Sequence, residues 1–577
     1  MTSHPRPALL PDPDALVAAY LRPGMHVHLS ATMSRPNALI YALARVFGPA
    51  GGKLTVSTTA IHSSAHALAL AGVVDRAVTC FLGDTYPSPR PNPLYRRVNQ
   101  GEPFIFEGWS LLSYLQRLVA GATGLPYAVT TSLAGSDLML DKAGTAFTVP
   151  DPAGSGQDVT LLTPLCPDYT LVHAVCADRR GNLVLCAPMG EGPWGALAAR
   201  RGVLASAERI VPDAVIDSQP DRVVVPGHRV AGLCEAPFGA HPQSLRTAGI
   251  AGLTAYLDDY PFTADITTAC AQPDTALEWY RTWVEGPGGH AGYLAKLGKE
   301  RLAGLELPAG TAPRATVAPD PPGGPLTDQQ RLIVLGARCV AEAVQTRGYG
   351  TLLAGIGASH MAAWLAAALL RLRGIDVEVA SELGFNGVDP AAGDAYLFSQ
   401  RHATRSTQLA GIAEILGALV AGNRGRCLGV LAAAEVDSCG NLNTSRLGDG
   451  RHITGSGGAN DIASAADCVV VATASRRRYV RQVAYVTSPG RRIQAVVSQF
   501  GRFTRPGPDQ PFELRTWLPP EAPASANSPR AAVAALTDWP CPDGGAGDGR
   551  EGWRAEEPVS ALERTLLRQL DPEGIYR

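Results

Sequence analysis

Two related open α/β domains, each built on a mainly parallel sheet flanked by helices, are the fold class this 577-residue sequence predicts. Three observations carry the expectation. A strand–loop–helix–strand order occurs near the start, over residues 25–57, and again past the middle, over residues 351–380. The motif Asp-x-x-Gly-Asn-Leu follows an apolar run once in each half, at Asp178 and at Asp437. Between the halves, residues 305–326 turn rich in Pro, Gly and Ala, the texture of an interdomain linker. The chain is therefore divided into residues 1–304, a linker at 305–326, and residues 327–577.

Composition bounds the function. A 46% hydrophobic and 18% charged chain of this length describes a soluble globular protein with material for more than one core. Its formal net charge of -2 gives no reason to expect nucleic acid or an anionic membrane as partner. The N-terminus is polar and broken by proline, unlike a signal peptide. The longest apolar stretches, such as residues 361–370, fall short of a membrane span. The 11 cysteines include no C-x-x-C pair, and Cys166, Cys176 and Cys186 recur at a spacing that suits no zinc site. Free thiols in a reducing cytoplasm are expected.

In the first half, residues 14–21 read as a short helix and Pro23-Gly24 as a turn. Residues 25–29 then form a strand, 30–34 a loop, 36–47 a helix with Pro at its start, and 53–57 the next strand. That strand runs into Ser57-Thr-Thr-Ala-Ile-His62, which carries no carboxylate. Residues 169–172 and 427–432 are the apolar strands before the two Asp motifs. After the linker, Thr327 followed by Asp328-Gln-Gln reads as a capped helix start. Thr351-Leu-Leu-Ala-Gly-Ile-Gly357 reads as a strand and glycine turn, with Ser359 capping a helix that Arg371, Arg373 and Gly374 end. Residues 376–380 form a strand that Gly384, Asn386-Gly387 and Pro390 stop at once. Residues 519–529 and 540–553 are expected to be loose surface, and 558–570 a terminal helix. Ligands of open α/β sheets bind at the carboxyl ends of the strands, so Glu382 is carried to where such folds do chemistry.

Ser381, Glu382, Gly384, Gly387 and Pro390 resemble the active-site loop of family I coenzyme A transferases, with Leu383 and Asp389 as departures. Through Ser34-Arg35-Pro36, Phe106-Glu-Gly-Trp-Ser110, Gly135-Ser-Asp137 and Pro237-Phe-Gly-Ala-His-Pro242, the first half resembles the glutaconate-type α subunit. There Leu29-Ser-Ala-Thr-Met33 replaces a Gly-Gly-Phe-like turn. Three stretches of the second half resemble the β subunit: Val436-Asp-Ser-Cys-Gly-Asn-Leu-Asn-Thr444, Gly455-Ser-Gly-Gly-Ala-Asn-Asp-Ile-Ala463 and Tyr485-Val-Thr-Ser-Pro-Gly490. The whole looks like both subunits fused head to tail, which implies two domains of the CoA-transferase type facing one active site.

The resemblance implies that Glu382 attacks an acyl-CoA thioester and then carries coenzyme A to a second carboxylic acid. It implies ping-pong kinetics, with the Gly384 N–H as an oxyanion donor. It places Gly355, Gly357, Gly387, Gly455, Gly457, Gly458 and Asn460 at the coenzyme or acyl group, although residues 455–460 also read as a plain turn opening a helix at 461–466. Acyl-CoA is then a substrate rather than a permanent cofactor, a small carboxylic acid is the other partner, and no metal is required. A further homo-oligomer is compatible with fused halves. Glu107 is a second acid of interest, read first as a structural carboxylate beside Trp109. If it were catalytic, an acyl-CoA hydrolase would be the rival function. A non-enzymatic regulator on the same fold should have lost the glutamate loop. An NAD-dependent oxidoreductase lacks its third glycine, since Met361 stands near that place. His241 and His290 read as ordinary polar residues.

Overall fold

Strands such as Tyr169–Ala174, Gly202–Ala207 and Cys427–Leu431 are buried at every residue. Strands buried along their whole length belong to parallel sheets covered on both faces. A computed structural model describes residues 6–30, 33–154, 156, 158–247, 249–307, 324–390, 394–422, 425–519, 528–539 and 553–577. Most of the expected linker and of both expected loose segments (308–323, 520–527 and 540–552) lies outside these, as do Ala31 and Thr32 of the first loop.

The first half forms an eight-stranded sheet in the order Ala8–Leu9, Val230–Glu235, Gly202–Ala207, Tyr169–Ala174, His26–Leu29, Leu54–Ile61, Val74–Leu82, Ile105–Gly108. Every neighbouring pair in it is parallel. The second half forms a seven-stranded sheet. Its parallel part runs Glu378–Ala380, Thr351–Ala354, Cys427–Leu431, Asp467–Val471, Ile493–Val497. Two antiparallel strands, Arg502–Thr504 and Glu513–Leu514, complete it. Taken from Leu54–Ile61 back to Val230–Glu235, the first sheet has the connectivity of the second sheet's parallel part. The shared plan expected from the sequence is present.

The Asp motif repeats as structure. Asp178 Oδ1 accepts the N–H of Arg180 at 3.0 Å and of Asn182 at 2.9 Å, and Asp437 Oδ1 accepts those of Cys439 and Asn441 at 3.0 and 2.9 Å. Asn182 Oδ1 then accepts the Gly227 N–H, and Asn441 Oδ1 the Gly490 N–H, each at 2.9 Å. Each bracket thus ties a turn to the start of the sheet strand after next, Val230–Glu235 or Ile493–Val497.

Local expectations hold with adjustments. Thr327 and Gln330 form a reciprocal capping box on the helix Asp328–Arg347. The helix Ala358–Arg371 is capped by Gly357 instead of Ser359, whose hydroxyl lies inside the first turn and donates to the Gly355 carbonyl at 2.6 Å. The stretch after Glu382 is more than a tight loop: Phe385–Val388 pairs antiparallel with Ser406–Leu409. A helix Pro529–Leu536, capped by Ser528, begins where loose surface was expected, and the terminal helix is Ala561–Leu570. Among the described residues, no helix is long and apolar enough to cross a membrane.

One hydrophobic cluster crosses between the halves, joining Trp109, Leu112 and Leu115 to Ile412, Leu416 and Ile462. The seam is a shared core, which fixes how the second half's loops meet the first half's strands.

Candidate active site

The loop 455–461 is pinned by groups of the first half. Gly457 N–H donates to the Cys80 carbonyl, and Leu111 N–H to the Gly457 carbonyl, both at 3.0 Å. Asp461 is 2% exposed and accepts from the Ser110 hydroxyl at 2.6 Å and the Leu112 N–H at 2.8 Å. Asn460 accepts the Leu133 N–H at 2.8 Å and donates to the Thr487 carbonyl at 2.9 Å. The loop is held on both sides.

This positioning aims the Gly458 N–H at Glu382, whose Oε2 accepts it at 3.1 Å. A Cβ on Gly458 would collide with that same oxygen, so only glycine lets the backbone approach. Burial and the nearby Asp461 carboxylate push the Glu382 pKa up to about 7, against the Gly458 hydrogen bond, which lowers it. Burial likewise raises Asp461 to about 6. A carboxyl of this acidity changes charge near neutral pH, a property of groups that do chemistry.

Glu382 lines two spaces. One is a cavity of about 740 Å³, walled by Gly355, Gly357 and the 455–458 loop. Arg96, Arg451, Arg477, Arg478 and Arg577 also line it, against Glu382 and Glu435 as its acids. The other is a cavity of about 110 Å³, lined by Arg35, His62, Gln243, Asp258 and Tyr396 among others. Arg35 is 5% exposed, and its Nη2 donates to Thr58 and to the Ala60 carbonyl. Its Nε and Nη1 have no hydrogen-bond partner among the described residues. Burial keeps His62 neutral by lowering its pKa, and lowers that of Arg35 to about 10, which leaves the guanidinium charged at neutral pH.

The structure brings together Glu382, Gly355, Gly357, Gly455, Gly457 and Gly458. It separates the rest. Gly384 N–H turns back to the Ser381 carbonyl at 3.1 Å, because the hairpin closes there, and so does not face the Glu382 carboxylate. Gly387 lies in that hairpin against Thr407 and Glu378, outside both cavities. Asn460 is a buried staple and lines neither cavity. Glu107 accepts from Trp109 Nε1 at 2.8 Å and Arg117 at 3.2 Å, the structural arrangement read first for it. His241 is buried between Tyr293 and Asp259. Sequence reasoning missed Asp461 and the arginines of the large cavity, for which the run Arg476-Arg-Arg478 was the available signal. Among the described residues no cluster of His, Cys, Asp and Glu could hold a metal ion.

The two-sheet α/β architecture is that of the coenzyme A transferase fold. Residues 11–236 match the family model described as Coenzyme A transferase. It is 36% identical over 124 residues to the A subunit of 3-oxoadipate CoA-transferase from Pseudomonas knackmussii, covering 22% of this chain and 42% of that one. Both subunits of glutaconate CoA-transferase from Acidaminococcus fermentans match as well. The A subunit is 28% identical over 206 residues (33% of this chain, 62% of that one), and the B subunit 38% identical over 69 residues (11% and 26%). The chain thus spans less than two thirds of the length of each of these relatives. The solved acyl-CoA transferase of E. coli O157:H7, in a thioester complex with CoA, shares the fold along 96% of this chain and 95% of its own, with a TM-score of 0.64 at 14% identity.

Proposed function

We propose that this protein transfers coenzyme A from an acyl-CoA thioester to a carboxylic acid, with Glu382 as the nucleophile. The observation that carries the reading is the place of Glu382, on the wall between a large cationic cavity and a small pocket. The large cavity suits the phosphates of a coenzyme, which arginines bind well. The small pocket suits a short acyl chain or the acceptor acid, with the unpartnered Arg35 nitrogens as donors to an anionic oxygen.

The ionised Glu382 attacks the thioester carbonyl, the C–S bond breaks, and a mixed anhydride forms with release of CoA thiolate. The thiolate attacks the glutamyl carbonyl and expels the acyl carboxylate, leaving a glutamyl-CoA thioester. An incoming carboxylate attacks that thioester, and the released thiolate then attacks the new acyl carbonyl, which frees Glu382. Splitting the exchange in this way is covalent catalysis. The Gly458 N–H already meets the reacting carboxyl and is the donor best placed for the oxyanions that develop on it. The match of both subunit types to one chain supports a fused two-domain enzyme.

Intact mass spectrometry after mixing the protein with a panel of acyl-CoAs, followed by peptide mapping, tests this. A coenzyme A adduct on the Glu382 peptide is expected, discharged by a carboxylic acid and absent in Glu382→Ala. Steady release of free acid and free coenzyme A with no adduct would instead identify a hydrolase.

A further inference from the structure

A third cavity, of about 430 Å³, lies on the far side of the Gly455–Ser456 wall, at the seam of the halves. Besides Arg76, which pairs with Glu107, two cations line it. Lys142 is 2% exposed, with its ammonium 5.1 Å from the centre of the Trp109 ring. Arg446 holds its guanidinium 5.1 Å over Tyr485. Neither side-chain cation has a carboxylate within ion-pair distance among the described residues.

The acids nearby do not neutralise both. Glu107 is taken up by Trp109, by Arg117 at 3.2 Å and by Arg76 at 3.5 Å. Asp141 acts on Lys142 only through space. Burial has lowered the Lys142 pKa to about 8, the response of an ammonium lacking a close counter-ion. The Ser456 hydroxyl, 5% exposed on the shared wall, has no hydrogen-bond partner among the described residues. Phe106, Trp109 and Leu138 supply apolar lining. A buried cation without a partner is costly, and an anion completes it. The volume falls in the range of about 300–1,000 Å³ typical of small-molecule pockets.

We propose that this cavity is a second binding site, for an amphiphilic monocarboxylate whose headgroup is held by Lys142 and Arg446 and whose apolar body lies against Phe106, Trp109 and Leu138. The site goes beyond the transfer reaction and uses none of the Glu382 chemistry.

Isothermal titration of the whole protein with benzoate, and separately with inorganic phosphate, tests it. Benzoate binding is expected to weaken about tenfold or more in Lys142→Met and in Arg446→Met, as for loss of a charge-assisted hydrogen bond. It is expected to persist in Arg35→Met, which removes the cation beside Glu382. Phosphate, lacking the apolar body, is expected to bind more weakly than benzoate. Unchanged benzoate affinity in both Lys142→Met and Arg446→Met, or loss only in Arg35→Met, would overturn the proposal. Phosphate binding as tightly as benzoate would overturn the amphiphile. Should Lys142→Met not fold, Arg446→Met and the cavity-filling Leu138→Trp make the same decision. Failure of the coenzyme A adduct experiment would leave these titrations untouched, so the two readings fail separately.

Discussion

Below pH 7 the Glu382 carboxyl holds its proton, because burial and the Asp461 carboxylate both oppose its charge. A protonated carboxyl is a poor nucleophile, so coenzyme A adduct formation should rise about tenfold per pH unit below neutrality and level off above it. Rapid-quench mass spectrometry across pH 5 to 9 reads this directly. In Asp461→Asn the repulsion is gone, and the midpoint should move to lower pH. The same shift sets a stability consequence. Because the folded protein holds this proton up to about pH 7 while an unfolded glutamate releases it near 4.5, folding stability falls as pH rises through that window. Glu382→Gln removes the cost of the buried charge, so its melting temperature should exceed that of the wild type at pH 8, with the gap shrinking toward pH 5.

The 455–461 loop sets the geometry around that carboxyl. Gly458→Ala would drive a methyl group into Glu382 Oε2 and should lower the adduct rate about a hundredfold, the scale of losing one oxyanion donor, with little change in melting temperature. Gly387→Ala is the contrasting variant. Its φ of 62° and its contacts with Thr407 and Glu378 make it a hairpin lesion, which should lower the melting temperature while a folded fraction keeps its adduct rate. What was legible at this scale follows from range. Glu382 could be read because strand, turn and acid are neighbours in sequence. The direction of the Gly384 N–H could not, because hairpin closure on the Ser381 carbonyl decides it. Asn460 and Asp461 meet partners 327 to 351 residues away, and contacts of that separation leave no local pattern. The arginines of the large cavity come from several separate segments and converge only in the fold.

Across the whole molecule, the duplicated sheet was visible in the sequence because its signature, the Asp-x-x-Gly-Asn-Leu bracket, is short and occurs twice. Asp178 and Asp437 satisfy the same set of turn N–H groups, so Asp178→Ala and Asp437→Ala should destabilise by similar amounts, about 2–4 kcal/mol each, in chemical denaturation. The shared core across the seam was not visible, since Leu112 and Leu416 lie far apart in the sequence and meet only in the fold. That core has one more implication. The partial burial that keeps the Glu382 proton in place depends on the first half gripping the 455–461 loop at Cys80, Ser110 and Leu111. Any loosening of the halves would admit solvent and return Glu382 to the acidity of an ordinary glutamate. Its titration midpoint, followed by infrared spectroscopy of the labelled carboxyl, is therefore a built-in gauge of how tightly the two halves are clasped.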